Sequence, residues 1–439
     1  MAQAAALLDE HLPKDATLWA GLSGGRDSVV LLHVCKTLLP PGKLRAVHVH
    51  HGLSPHADEW AAFCEKLCRD WNIPFTLKKV DVARHDGQGL EAAARRARYQ
   101  AFRESGASHL ALAHHQNDQA ETLLFNLCRG AGVIGAAAMP YLRKTGDLAL
   151  LRPLLDVSAN AIAAYAAAKQ LRWVEDESNA DARYRRNFLR HQILPELASR
   201  FPAAETTLAR AAGHFAEAQE LLDALAAEDD ARIAAQLTLL LALSPARQAN
   251  WLRYWLRQQG WQVPESAVLH EALRQLAMLA HKPDSHFELK LPQGELHLWQ
   301  DRLYCVPPLA APPAGREWDG NAPCAWASGW LTLEPCRGAG LSAALVAGKT
   351  FTIRPRQGGE HIIPQTNRPR RTLKNLLQEN HIPPWERERL PLLYVDDELV
   401  AVPDIAIAAG WQCKAGQSGL RVGYQRTEDR SCLTLCQHT

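Results

Sequence analysis

Thr17-Leu18-Trp19-Ala20-Gly21-Leu22 runs into Ser23-Gly24-Gly25-Arg26-Asp27-Ser28, and an apolar helical run follows through Leu32 and Cys35. The first six residues predict a short strand and the last run a helix, with two adjacent glycines between them. Without Cβ atoms, glycines let successive backbone N–H groups close on an anion. The helix that starts there turns its positive end toward the same point. Ser23 and Ser28 add hydroxyls, and Arg26 adds a cation. Asp27 repels a phosphate, so its sensible task beside a polyphosphate is to hold magnesium. An ordinary glycine turn with Asp27 as a helix cap leaves six suitable residues in register after a strand unexplained.

Working outward, strands are predicted at Leu44 to His50, Phe75 to Val80 and His109 to Ala113. Helices are predicted around Trp60 to Trp71, at Gly89 to Ser105 and at Asn117 to Arg129. This alternation predicts an α/β domain, a parallel sheet with helices on both faces and ligands at the C-terminal strand ends. From about Phe201 the chain turns Ala- and Leu-rich with helical periodicity. Phe287 to Cys305 alternates about Pro292-Gln293-Gly294 and reads as a hairpin. The prolines at 307, 308, 312 and 313 mark a linker. Beyond it lies a smaller β-rich α+β region with one helix near Thr372 to Asn380. The expected division is a catalytic domain at 1–200, a helical middle domain with a hairpin at 201–306 and a C-terminal domain at 317–439.

Lysine and arginine number 49 against 47 aspartate and glutamate, a net charge of +2. That balance excludes little, because nucleic acid is bound by a local basic face. Met1-Ala2-Gln3, soon followed by Asp9 and Glu10, predicts no secretory leader. No stretch is apolar enough for a membrane span, so no membrane partner is expected. The ten cysteines contain no Cys-x-x-Cys, which predicts reduced, structural thiols in a cytoplasmic protein. Two motif-like stretches are set aside. Gly348-Lys349-Thr350 lacks the upstream glycine of a Walker loop and precedes a strand; Gly130-Ala131-Gly132-Val133-Ile134-Gly135 follows a helix rather than a strand.

Ser-Gly-Gly-x-Asp-Ser near the N-terminus resembles the PP-loop ATP pyrophosphatases, which adenylate their substrates. Further stretches resemble one branch of them, the tRNA(Ile)-lysidine synthase family. They are His48-Val49-His50-His51-Gly52-Leu53, Glu91 to Tyr99, His114-His115-Gln116-Asn117-Asp118-Gln119-Ala120-Glu121-Thr122, and Ser178-Asn179 with Arg186-Asn187-Phe188-Leu189-Arg190. Arg356 to Glu360, Leu373-Lys374 and Pro383-Pro384-Trp385 resemble that family's last domain. The chain departs from the pattern at His50, Ser54 and Asn117, where many relatives carry Asp, Arg and Asp.

The resemblance implies ATP as a substrate, cleaved to AMP and pyrophosphate, with Mg2+ at Asp27. It implies free L-lysine and an isoleucine tRNA with a CAU anticodon as the other substrates. Lysine would be joined to carbon 2 of the wobble cytidine after that base is adenylated, changing its reading from AUG to AUA. ATP is assigned to Ser23 through Ser28, with the loop at His50 over the adenine. Asp118 and Glu121 sit three apart on one helix, hence on one face. They are assigned to the lysine ammonium groups, Arg95 to its carboxylate, and Asp27 and Asp118 to catalysis. By residues alone, these acids equally suit a solvated helix N-terminus. His48, His50, His51 and His56 make a weak zinc set, since strand alternation separates them and no cysteine pair completes it. His114 and His115 are read as shaping a strand end.

Two basic groups suit phosphate contact: Arg183, Arg185, Arg186 and Arg190, and Arg354, Arg356, Arg368, Arg370, Arg371 and Lys374. Of these, Arg185, Arg186, Arg190, Arg354, Arg356, Arg371 and Lys374 are assigned to tRNA. The alternatives are a sulfur-inserting tRNA enzyme, disfavoured by the cysteine pattern, a glutamine-fed amide synthetase, disfavoured by Ala2, and a non-catalytic RNA binder. Whether the chain forms a homodimer is left open.

Overall fold

The computed structural model describes residues 1–82, 90–175, 185–280, 287–364 and 371–426. It divides into two compact units, 1–223 and 224–439. Arg183, Ser178-Asn179, Arg368, Arg370 and the Glu91 side chain, all singled out in the sequence, lie outside the described residues.

In the first unit the strands are β1 (Leu18–Gly21), β2 (Leu44–His50), β3 (Phe75–Lys79), β4 (His109–Ala111), β5 (Leu142–Thr145) and β6 (Leu148–Leu151). They form one sheet in the order β3-β2-β1-β4-β6-β5. Every neighbouring pair is parallel except β5 with β6. β1 lies at the centre, with Leu18 opposite Leu44 on one side and His109 on the other. The strand order reverses between β1 and β4, so the loops leaving these two strands open at the topological switch point, where such sheets bind ligands.

The helices are α1 (Ala2–His11), α2 (Arg26–Leu38), α3 (Ala57–Asp70), α4 (Leu90–Arg103), α5 (Gln116–Leu127), α6 (Val133–Ala136), α7 (Ala159–Ala168), α8 (Arg185–Phe188), α9 (Leu194–Arg200) and α10 (Ala204–Ile233). A π-helical turn, Leu189–Ile193, joins α8 to α9. α2 is buried almost all round, through Val29, Val30, Leu31, Leu32, Val34 and Cys35. It packs with Leu18, Ala20, Leu44 and Ile162 into the largest core of this unit. Cys35, Cys64 and Cys68 belong to that core as free thiols, and burial pushes each up to about 12.

In the second unit, α11 (Leu237–Leu241), α12 (Pro245–Gln258) and α13 (Ser266–Leu279) pack on β7 (Phe287–Leu291), β8 (Gly294–Trp299) and β9 (Arg302–Val306) around Trp251 and Trp255. The expected hairpin is thus a three-stranded antiparallel meander. Its second turn is Gln300-Asp301, both with positive φ (48° and 61°). That is a two-residue turn which, without Gly or Asn, gives no sequence signal. The C-terminal region holds a five-stranded and a four-stranded antiparallel sheet. Besides the expected helix, here Leu373–Glu379, it has short helical turns at Ala343–Val346 and Pro384–Arg387. Gly348 turns the chain into the strand Phe351–Arg354, and Gly130 and Gly132 lead from α5 into four-residue α6. Among the described residues no helix is long and apolar enough to cross a membrane.

Candidate active site

The loop after β1 is held by one buried hydroxyl. Ser28 Oγ accepts from the backbone N–H of Ser23 and of Gly24 at 3.2 Å each, and donates to Gly25 O at 2.8 Å. Gly25 then caps α2. Gly24 has φ +93°, and a Cβ there would lie 2.8 Å from Val174 Cγ2. Val174 N donates to Gly24 O. The first glycine is therefore needed for folding as much as for ligand access. The second, with nothing nearer to its would-be Cβ than Ser23 Oγ at 3.5 Å, leaves the approach to the α2 N-terminus open.

The loop after β4 meets it. His115 caps α5: its Nδ1 accepts from Asn117 N at 3.3 Å, and Asp118 Oδ2 accepts from His115 N at 3.0 Å. This reciprocal capping box puts the ring proton on Nε2, which faces two carboxylates, Asp27 Oδ2 and Asp118 Oδ2, at 3.5 Å each. Burial alone would lower the basicity of His115. The hydrogen bond to Asp27 and the charges of Asp118 and Asp27 outweigh that and raise it. Burial likewise works against ionised Asp27, but His115 and Arg26 (Nε to Oδ1, 3.0 Å) hold its carboxyl below the ordinary range.

From Asp118 the chain of contacts continues to Arg190, on the π-helical turn. Its Nη2 donates to Asp118 Oδ1 at 2.9 Å and to Glu121 Oε2 at 3.0 Å, and its Nε donates to Glu121 Oε1 at 2.5 Å. Glu121 is the deeper acid, with its side chain 5% exposed against 19% for Asp118. Burial, with Asp118 beside it, raises Glu121 despite the arginine. Two carboxylates on one helix face thus already hold a planar cation bidentately. Arg190, grouped by sequence with the exposed basic residues, faces inward here.

A second layer surrounds His114. Arg152, 1% exposed, donates from Nε to His114 Nδ1 at 3.3 Å and from Nη1 to Pro140 O at 2.6 Å. Burial, then Arg152, Arg98, Arg95 and Arg186, drive the basicity of His114 well below normal, so the ring is neutral. Arg95 itself lies over the Tyr99 ring at 5.1 Å and bonds its hydroxyl at 3.3 Å. Asn117 Oδ1 accepts from Ala159 N at 3.0 Å, while its Nδ2 donates to Glu205. The amide supplies both an acceptor and a donor; an aspartate there would meet Glu205 charge to charge.

His50 is buried at the end of β2, its Nε2 3.2 Å from Asp58 Oδ1. Neighbouring His48 donates from Nδ1 to Leu22 O at 2.8 Å, bracing the base of the glycine loop. Burial, then Arg98, His48 and His50, lowers His51 to about 4. Arg185 is exposed, and Arg186 lies over the Phe125 ring at 5.7 Å. In the C-terminal region Arg354 pairs with Asp397, Arg356 approaches Glu360 at 3.7 Å and Arg371 bonds Glu379 at 2.5 Å. Lys374 is exposed. The cap at His115, the inward turn of Arg190 and the burial of Arg152 have no sequence signal: histidine is not among the residues preferred as N-caps, and His115-x-x-Asp118 does not match the Ser/Thr-x-x-Glu/Gln capping box.

A strand, a two-glycine loop and a buried helix at the switch point, faced by a carboxylate-bearing helix after β4, define a PP-loop nucleotide-binding domain. The PP-loop domain model matches residues 2–197. The TilS substrate binding domain model matches 236–304, and the TilS substrate C-terminal domain model matches 351–424. A tRNA(Ile)-lysidine synthase from Nitrosomonas europaea is 42% identical over 94% of this chain and 92% of its own length. Those from Aromatoleum aromaticum (43%, 93% and 97%) and Chromobacterium violaceum (44%, 91% and 95%) are similarly close. The chain belongs to the tRNA(Ile)-lysidine synthase family.

Proposed function

We propose that this enzyme joins free L-lysine to carbon 2 of the wobble cytidine of an isoleucine tRNA with a CAU anticodon, using ATP. The observation that carries the reading is the unbroken chain Asp27–His115–Asp118–Arg190–Glu121. It links a phosphate-type loop to a pair of acids suited to ammonium groups. In the first step cytidine O2 attacks the α-phosphorus of ATP and pyrophosphate leaves. Ser23, Gly24, Gly25 and Arg26 hold the phosphates, and Ser28 keeps the loop in shape. Asp27 is ionised and partly open, which fits Mg2+ held by one carboxylate and the phosphates themselves. When bound, the ion neutralises charge on the phosphates. In the second step the lysine ε-amine attacks carbon 2, and AMP leaves with the O2 oxygen. Asp118 and Glu121 orient the amine, sharing their oxygens with Arg190 or displacing it. Asp118, the more open acid, takes the proton lost by the amine, and Arg95 meets the lysine carboxylate.

In this reading residues 1–200 carry the chemistry, while 201–306 and 317–439 hold the tRNA. The test is incorporation of radiolabelled lysine into a CAU-anticodon isoleucine tRNA transcript, with and without ATP. ATP-dependent label on that tRNA and none on methionine tRNA is the expected result. ATP cleavage to AMP and pyrophosphate without label would overturn the lysine step.

A further inference from the structure

Two helices meet in antiparallel register beside the carboxylates. On α5 the positions 118, 121 and 125 follow helical spacing along one face, and Arg129 lies two residues beyond the end of that helix. On the facing segment Arg190 grips Asp118 and Glu121, and Arg186, one turn earlier, lies over Phe125. Arg129 lies over the same ring at 5.3 Å. Phe125 and Arg186 are half-buried and Arg129 is exposed. Neither arginine has a carboxylate partner among the described residues. A surface of one aromatic ring under two guanidiniums, neither with a carboxylate partner among the described residues, does not suit a merely solvated helix face. It suits an unpaired nucleobase, which stacks on aromatic rings and guanidinium planes while its phosphate meets the cations.

We infer that Arg186, Phe125 and Arg129 form a stacking platform for the base adjoining the modified one in the substrate RNA. The position follows from the helix. Phe125 lies four residues beyond Glu121 on α5, ~6 Å along the axis. That exceeds the ~3.4 Å rise of stacked bases, so a base held over the carboxylates has its neighbour splayed onto Phe125. The inference rests on the proposed RNA substrate; it gives Phe125 and Arg129 a task and narrows that of Arg186 from tRNA contact in general to stacking of one base.

The experiment uses the full chain, Phe125→Ala and Phe125→Trp, and synthetic CAU anticodon stem-loops that are intact or abasic immediately 5′ or 3′ of the wobble cytidine. Lysine incorporation and RNA affinity by fluorescence anisotropy are both measured. Phe125→Ala is expected to raise the KM for RNA by roughly 5- to 100-fold, leaving the KM values for ATP and lysine unchanged, and Phe125→Trp to restore it. One of the two abasic RNAs should bind the native enzyme as weakly as the intact RNA binds Phe125→Ala, with no further loss when both changes are combined. Equal abasic losses in native and Phe125→Ala enzymes, or failure of Phe125→Trp to rescue, would overturn the platform. If the native enzyme incorporates no lysine, the proposed function fails instead, and the anisotropy comparison still decides the platform.

Discussion

At the scale of single residues, the site is governed by how few charges stay unshared. Asp27 has one oxygen on Arg26 and the other near His115, so Asp27→Ala removes the only carboxylate assigned to magnesium. It should stop pyrophosphate release; turnover near the native rate would refute that role. His115 allows a sharper test, because asparagine also caps helices but does not titrate. The folded pKa of His115 is raised above the ordinary histidine value. The stability it adds by charge is therefore fully present below about pH 6.5 and is lost as pH rises through the higher folded value. The melting-temperature gap between native protein and His115→Asn should be widest at acid pH and narrow above neutrality; a gap that does not vary with pH would remove His115 from the charge network. Glu121→Gln deletes the deeper charge and leaves Arg190 paired with Asp118 alone. The lysine KM should rise at least tenfold, read from the lysine dependence of label incorporation, with ATP dependence little changed.

At the scale of elements, the loop after β1 separates two glycines that the sequence presents as equivalent. Gly24→Ala puts a side chain at a left-handed φ, costing about 1–2 kcal/mol, and drives it against Val174. Gly25, at φ −71°, tolerates a Cβ. Thermal melting should therefore separate them: Gly24→Ala lowers the transition, whereas Gly25→Ala leaves it in place and raises the ATP KM. The strand–loop–helix unit was legible because paired glycines after an apolar run carry a local signature, and i, i+3 spacing put Asp118 and Glu121 on one face, although their assignment to lysine came from the family resemblance and not from that spacing. The β5–β6 hairpin was not, since Leu148-Ala149-Leu150-Leu151 is buried on both faces and shows no alternation. Nor was the inward turn of Arg190. An arginine reads the same in sequence whether it meets solvent or a carboxylate that the fold brings from 69 residues away.

At the scale of the whole molecule, the basic residues that sequence groups together fall into two populations. Arg354, Arg356 and Arg371 lie beside Asp397, Glu360 and Glu379, and Arg190 lies between Asp118 and Glu121. Arg185 and Lys374 are exposed, with no acidic partner among the described residues. Counterion release follows the phosphates neutralised, and a cation already shared with a carboxylate neutralises less. Each phosphate contact contributes about 0.7–0.9 to the slope of log affinity against log salt. Lys374→Ala and Arg185→Ala should therefore each flatten that slope for tRNA by close to one contact. Arg371→Ala should flatten it by less, and Arg190→Ala should leave it unchanged while altering lysine dependence. Anisotropy titrations of the full chain against labelled tRNA at several salt concentrations measure all four. Equal flattening by all four would mean that the ion pairs of Arg371 and Arg190 open on tRNA binding, and that these residues too count toward the RNA surface.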